Sequence, residues 1–227
     1  MRVRLATWNI HGGVGMDRRY SPERIARVIE ELDADIVALQ EFGSRGSARD
    51  LRSHLEEVAG SRLVVQPTFV RDGRDFGNAV MTRLPLLASA AHDLSHGRRE
   101  PRNAIEATVD AGGHPLRVLA THLGLASLER RGQIERLHAL IDAAPDVPTA
   151  LVGDLNEWRR GNLLADLHRR YHALPAPATF PSPFAVAPLD RIFVAPAGLC
   201  STLAPHKSRL ARIASDHLPL VATIDLP

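Results

Sequence analysis

Two short polar clusters, each set against an apolar run, constrain this chain most. Val152-Gly153-Asp154-Leu155-Asn156 places a carboxylate and a carboxamide two residues apart at the end of one run. Ser215-Asp216-His217-Leu218-Pro219 places a carboxylate beside an imidazole at the start of another. Buried strands exclude unpartnered polar groups, so such clusters belong at strand ends. Two of them, far apart in sequence, require a fold that gathers strand ends in one place.

The rest of the pattern says which fold. Val3 to Trp8 reads as a strand. Ser21-Pro22-Glu23-Arg24 opens a helix, with Ser21 as N-cap, Pro22 in the first turn, and Ile25, Val28, Ile29 and Leu32 at helical spacing. Asp35 to Leu39 is a short strand ending at Gln40-Glu41, and Ala48 to Ala59 a second helix with Leu51, Leu55 and Val58 on one face. From Leu63 to about Thr121 the pattern is all-β: Leu63 to Val65, Asn78 to Thr82, Leu86 to Ala88, Ala104 to Val109 and Leu116 to Ala120 are short runs separated by turns such as Asp110-Ala111-Gly112-Gly113. Leu128 to Ile141 is a third helix, Thr149 to Val152 a buried strand, and about Gly161 to Arg169 a short helix. Residues 173–188, rich in Pro and Ala, read as a long surface loop. Leu189 to Val194, Cys200 to Leu203 and Leu218 to Ile224 complete the strands. The middle third has no crossover helices, which argues against a simple doubly wound sheet. The expectation is an α/β (α+β) four-layered sandwich, two mixed β-sheets face to face with helices outside, in a single domain over 1–227.

Of the 227 residues 44% are hydrophobic, enough for a sizeable core. No apolar run reaches the roughly 18 residues of a membrane span, and the N-terminus runs into a strand without a signal-peptide core. A cytoplasmic monomer without stable membrane insertion is expected. Cys200 is the single cysteine, so no internal disulfide forms; it reads as a small core hydrophobe. Lys207 is the only lysine among 28 basic residues. That arginine excess fits a codon preference and also phosphate recognition, since guanidinium pairs bidentately with phosphate oxygens. A net charge of +2 is too small to argue nucleic-acid binding, and 4% aromatics count against a broad base-stacking platform.

The candidate site residues follow the strand ends. Asn9 suits donation to a phosphate oxygen or to a ligating carboxylate, or else a turn before Gly12-Gly13. Glu41 is either a ligand for a hard divalent cation or a solvated glutamate. His122, after Thr121, is either a structural histidine or a donor to a phosphoryl oxygen. Asp154 and Asn156 share one side if the segment is extended, the first able to orient or deprotonate water, the second to donate to phosphate. His217 is the natural acid/base near neutral pH, and Asp190, a carboxylate inside an apolar segment, is the candidate to fix its tautomer.

Taken in order, Trp8-Asn9-Ile10-His11, Leu39-Gln40-Glu41, Gly77-Asn78-Ala79-Val80-Met81-Thr82-Arg83, Thr121-His122-Leu123, Gly153-Asp154-Leu155-Asn156, Leu189-Asp190-Arg191-Ile192 and Ser215-Asp216-His217-Leu218-Pro219 resemble the endonuclease/exonuclease/phosphatase superfamily along essentially the whole chain. The resemblance implies a metal-dependent phosphoesterase, with a site where the two sheets meet at one end. It implies Mg²⁺ or Mn²⁺ at Glu41 with Asn9 and Asp216 nearby, His217 paired with Asp190, Asp154 orienting the attacking water, Asn156 holding the phosphate and His122 as a second donor. Arg102 sits where relatives often carry a phosphate-contacting arginine. His11 stands where relatives with two proposed metals often have an acidic residue; it suits Mn²⁺ better than Mg²⁺, or contacts phosphate.

The Thr179-Phe180-Pro181 turn and the 206–212 segment are expected to rim the site, with Lys207, Arg209 and Arg212 turned to an anionic substrate. The substrate is a phosphate ester, with nucleic acid one possibility. A nuclease-type phosphodiesterase leads; a phosphodiesterase or phosphatase on a phospholipid head group or small phosphate ester is the alternative, favoured by any apolar patch from Phe180, Pro181, Pro183 and Phe184. A non-catalytic binding module comes last, because the catalytic positions are filled.

Overall fold

The computed structural model of the chain describes residues 1–44, 51–59, 62–71, 74–158, 162–171 and 173–227. In chain order the elements are β1 (Arg2–Asn9), α1 (Pro22–Leu32), β2 (Ile36–Ser44), α2 (Leu51–Ala59), β3 (Arg62–Arg71), β4 (Arg74–Thr82), β5 (Leu86–Asp93), β6 (Asn103–Ala111), β7 (His114–His122), α3 (Ser127–Asp142), β8 (Thr149–Asp154), α4 (Ala165–Tyr171), β9 (Asp190–Ala195), β10 (Cys200–Pro205), α5 (Ala211–Ala214) and β11 (Leu220–Asp225). One sheet runs β10-β11-β1-β2-β4-β3, the other β5-β6-β7-β8-β9. Each is mixed: β1 and β2 pair in parallel, as do β7 and β8, and every other neighbouring pair is antiparallel.

Side-chain alternation sorts each strand into two faces. Val3 and Leu5 on β1, Val118 and Ala120 on β7, Ala150 and Val152 on β8, Ile192 and Val194 on β9, and Leu220 and Ala222 on β11 meet between the sheets. The alternate positions face outward. Ala6, Trp8, Val37 and Leu39 pack under α1, α2 and α5; Leu119, Leu151 and Phe193 pack under α3 and α4. The result is the expected four layers, helix–sheet–sheet–helix. The helix at Ser21 forms as its sequence signals: the Ser21 hydroxyl accepts from the Arg24 amide at 3.2 Å, Pro22 opens the first turn, and Ile25, Val28, Ile29 and Leu32 are buried. No described helix is long and apolar enough to cross a membrane.

Four details differ from the sequence reading. β2 does not end at Glu41 but continues to Ser44 through a register shift. Residues 173–188 form the expected loop without regular strand or α-helix, but it is anchored: Thr179 and Ser182 are fully buried, and Phe180 bridges to Ala187. Cys200 is half-buried against the inter-sheet core rather than inside it. Residues 48–50 and 161 of the expected helices lie outside the described residues; α2 begins at Leu51, and a 3₁₀ turn Asn162–Leu164 precedes α4.

Gly153 has one residue type open to it. Its φ is +144°, and a Cβ built there would stand 1.8 Å from the Thr121 carbonyl oxygen on the neighbouring strand. Backbone cannot yield as a flexible side chain does. Gly153→Ala is expected to lower stability by about 2 kcal/mol or more, read as the urea midpoint; an unchanged midpoint would show that the β7–β8 pair spreads freely.

Candidate active site

The same alternation that builds the core builds the site. On β7, β8 and β9 the inward position beyond the last core residue is polar, His122, Asp154 and Asp190, and on β1 the inward row continues past Leu5 through Thr7 to Asn9. Pairing sets His122 beside Asp154, and Asp154 beside Asp190. Glu41 needs a further device, since plain alternation would send it outward with Val37 and Leu39. Leu39 pairs with Ala79 and Phe42 with Gly77, so Gln40 and Glu41 together oppose Asn78. This is a β-bulge. With φ +53° at Glu41 it turns the carboxylate toward Asn9.

The Asn9 carboxamide connects the sheets. Its Nδ2 donates to Glu41 Oε1 at 3.0 Å and to Asp154 Oδ2 at 3.2 Å, while Oδ1 accepts the His11 amide at 3.0 Å. Both amide hydrogens are thus committed to carboxylates. Asp154 is held at its other oxygen too, where Oδ1 accepts the Asn156 amide at 2.9 Å. That bond corrects the extended reading of Asp154-Leu155-Asn156: Asn156 adopts φ +52°, closing a turn, and its Nδ2 donates to the Leu123 carbonyl at 2.8 Å.

Across from Asp154 stands a buried acid–imidazole pair. His217 Nδ1 lies 2.8 Å from Asp190 Oδ2, and Nε2 lies 3.6 Å from Asp154 Oδ2. Burial alone would push the His217 ring down, but the Asp190 and Asp154 carboxylates outweigh it and raise its pKa to about 10. His122 Nε2 is also 3.6 Å from Asp154 Oδ2. There burial prevails over the pull of Asp154, and with Arg102 and His217 nearby the pKa falls to about 4. One carboxylate therefore faces a cationic histidine and a neutral one.

These groups open on a cleft of about 320 Å³ whose walls include Asn9, Glu41, Arg102, His122, Asp154, Asn156 and His217. Arg102 Nη2 pairs with Glu100 at 2.9 Å, and its buried Nε has no partner. Asp190 stands behind His217, outside the lining. His11 and Asp216 lie 4.0 Å apart and do not line this cleft. Of the two loops expected at the rim, only the first is there. Phe180 lines the cleft and packs on the His217 ring at 4.8 Å between centroids. None of Lys207, Arg209 and Arg212 lines it: Arg212 Nη1 is turned to the Pro183 carbonyl at 3.0 Å, and His206 pairs with Glu31 of α1 at 2.9 Å.

The donor set suits a hard cation. Glu41 makes no ion pair among the described residues, and Asn9 holds its carboxylate near that of Asp154. Among the described residues no three His, Cys, Asp or Glu side chains converge as a closed cage. One or two carboxylates with open positions match Mg²⁺ or Mn²⁺, which keep several waters, better than a structural zinc centre.

A family model described as the Endonuclease/Exonuclease/phosphatase family matches residues 6–217. The chain belongs to this family. An endonuclease/exonuclease/phosphatase from Beutenbergia cavernae DSM 12333 superposes with a TM-score of 0.78 at 26% identity, covering 99% of this chain and 72% of that one. TDP2 of D. rerio, solved with a single-strand DNA product, superposes with a TM-score of 0.73 at 21% identity over 99% of each chain. Protein cwh43 of Schizosaccharomyces pombe is 27% identical over 143 residues, 61% of this chain; the match spans 14% of that longer protein. Members of the Endonuclease/Exonuclease/phosphatase family are in general phosphoric ester hydrolases that use divalent metal ions.

Two further residues of this family member belong with the site: Thr179, expected there only as part of a rim turn, and Trp158, which the sequence reading did not single out. Thr179 Oγ1 donates to Asp190 Oδ2 at 2.6 Å, the oxygen that also meets His217. Trp158, 58% exposed, lines the cleft and packs edge-on against Phe180 at 5.4 Å. The signal for Thr179 was present as one of two hydroxyls, with Ser182, in an apolar Pro/Ala stretch. For Trp158 it was an aromatic two residues beyond the Asp154–Asn156 turn.

In the metal-free protein, ¹⁵N NMR of the imidazoles is expected to find His217 protonated at pH 8 and His122 neutral at pH 6. A His217 titration near the usual 6.5 would show that Asp190 and Asp154 do not hold its proton.

Proposed function

We propose that this chain is a Mg²⁺- or Mn²⁺-dependent phosphodiesterase that hydrolyses its substrate by in-line attack of water, and that the whole span 1–227 forms one catalytic unit. The observation that carries the reading is the Asp190–His217 pair facing Asp154 across one cleft with Glu41 and Asn9. Glu41, with Asn9 and Asp216 nearby, would hold the metal, which when bound supplies positive charge to offset phosphoryl oxygens and the leaving group. Asp154, fixed at both oxygens, orients the attacking water and takes its proton. His217, kept cationic, is suited to donate to a phosphoryl oxygen rather than to act as base. Neutral His122, Asn156 and Arg102 supply further donors to the phosphate. His11 stands at the edge and contacts phosphate only if the substrate extends that way.

A nuclease-type substrate fits best. Phe69 and Phe76, stacked at 5.5 Å, and Trp158 with Phe180 line the cleft as aromatic faces, which suit unstacked bases of a single strand. Arg102 is the one Arg or Lys among the described lining residues, which argues against a long duplex-gripping groove. The single-strand product bound to the D. rerio relative supports the same direction at the level of the fold. The second reading, a phospholipid head group, is favoured by Phe184 and Val186, which are 84% and 78% exposed on the loop that carries Phe180.

Incubation with a 5′-labelled single-stranded oligonucleotide is expected to give products with Mg²⁺ or Mn²⁺ and none with chelator. His217→Ala, Asp154→Asn and Glu41→Gln should each lower turnover by about 10²-fold or more while leaving the thermal melting cooperative. Near-full activity in the His217 variant would overturn these roles. Inactivity on the oligonucleotide with head-group release from phospholipid vesicles would select the second reading. Thr179→Val, which removes a support of Asp190, should lower kcat by about tenfold with KM little changed; an equal rise in KM would mean that Thr179 shapes binding instead.

A further inference from the structure

We infer that a second cleft, on the outer face of the five-stranded sheet, binds a phosphate-type anion carried by the part of the substrate next to the scissile diester. The cleft itself stands on its own geometry; its assignment to substrate rests on the phosphodiesterase reading above.

Alternation on β9 creates it. Asp190, Ile192 and Val194 face the other sheet, so Arg191 and Phe193 face out toward α4. Arg191 is only 7% exposed. Its Nη1 donates to the Asp190 carbonyl at 3.1 Å, and its Nε is buried without a partner. A guanidinium has five N–H donors and stays charged. Most of this one's capacity is unused, and no carboxylate closes an ion pair with it among the described residues. Burial pushes its pKa down and outweighs the opposing pull of the nearby Asp190, Asp154 and Glu157 carboxylates.

Arg191 opens on a cleft of about 610 Å³ whose walls include Glu157, Trp158, His168, Ala178 and Val186. Glu157, the acidic wall residue, is committed to Arg130 Nη2 at 3.1 Å. His168 adds a ring N–H; its ring lies edge-on to Phe193 at 5.1 Å. The cleft therefore offers a buried guanidinium without an ion-pair partner among the described residues, and an imidazole, a combination that recognises phosphate oxygens.

Trp158 is a wall of both clefts. A substrate whose diester sits at Asp154 and His217 would pass its neighbouring group over the indole to Arg191. The shared ligand chemistry is a phosphate one unit away from the cleaved one, present in a polynucleotide and in a phosphorylated head group.

The test titrates inorganic phosphate into the full chain in chelator, so that metal-assisted binding at the catalytic cleft is absent. The Arg191 side-chain N–H and His168 ring signals are expected to move saturably by NMR, while the His122 and His217 rings stay still. Arg191→Gln should weaken binding at least about tenfold, and so should Ala176→Glu, which puts a carboxylate on the cleft wall without touching Arg191. The second variant decides if the first fails to fold. No saturable binding, shifts confined to His122 and His217, or affinity indifferent to both variants would overturn the site. Hydrolysis plays no part in the readout, so loss of the phosphodiesterase reading and loss of this site are separate results. Thymidine 5′-monophosphate and glycerol 3-phosphate then separate the sources. Tighter binding of the nucleotide, abolished by Trp158→Ala, points to a polynucleotide; equal binding points to a head group; both uphold the anion site.

Discussion

The seam of hydrogen bonds joining the two sheets at one end is the constraint on which the rest depends. Over most of their length the sheets meet through aliphatic side chains, which adapt to one another without fixing a single register. At the open end the contacts become directional. Asn9 reaches Asp154 on the opposite sheet and Asp190 meets His217, whose carbonyl the Trp8 indole of its own sheet holds at 2.9 Å. Buried polar contacts tolerate little error, because an unpaired member loses its full solvation. The same bonds that set the sheets' separation thereby set the distances among the carboxylates and imidazoles.

Electrostatics explains why that seam stays reactive. Glu41, Asp154 and Asp190 bring negative charge to one region, and His217 and Arg102 return only part of it. The unbalanced remainder sits at Glu41, the side that faces solvent, where a hydrated divalent ion meets least desolvation. His217 and His122 show how burial and neighbours divide one residue type into two states. Asp190 faces His217 directly and keeps it protonated, whereas His122 has only the shared Asp154 within 4 Å, and burial decides.

The sheets and the main site groups were legible because both obey the strand period. A polar residue one step beyond an apolar run, as with Asn9, His122 and Asp154, falls on the inner face whatever the loop after it does. Glu41 was legible as a residue type but not as a geometry, since its inward turn depends on a bulge opposite Asn78 that has no period. Asn156 kept its place in the cleft through a turn rather than an extended segment, because the Asp154 carboxylate captured its amide. Thr179 was legible as part of a rim turn but not as a support of Asp190, because its stretch reads as loop and the bond that engages its hydroxyl is tertiary. The basic 206–212 segment misled for the opposite reason. Charge near a motif in sequence does not imply charge near it in space, and Arg212 is held by a backbone carbonyl of the Phe180 loop.

Strand β9 carries the consequence furthest. Consecutive residues on a strand must leave by opposite faces, so Asp190 and Arg191 cannot serve the same pocket. If Asp190 orients His217 from the inner face, the adjoining arginine is forced into the layer under α4, where among the described residues it finds one backbone carbonyl. An arginine needed only to balance Asp190 would gain more by reaching a carboxylate directly, and Glu157 on the same wall already belongs to Arg130. A charge kept buried, without an ion-pair partner among the described residues and open to a cleft that shares the Trp158 wall with the catalytic one, is explained by a ligand that spans both. Trp158 lines both clefts while Asn156 lines only the catalytic one and Glu157 only the other, so the segment just after β8 serves the phosphate on one side and the Arg191 cleft on the other.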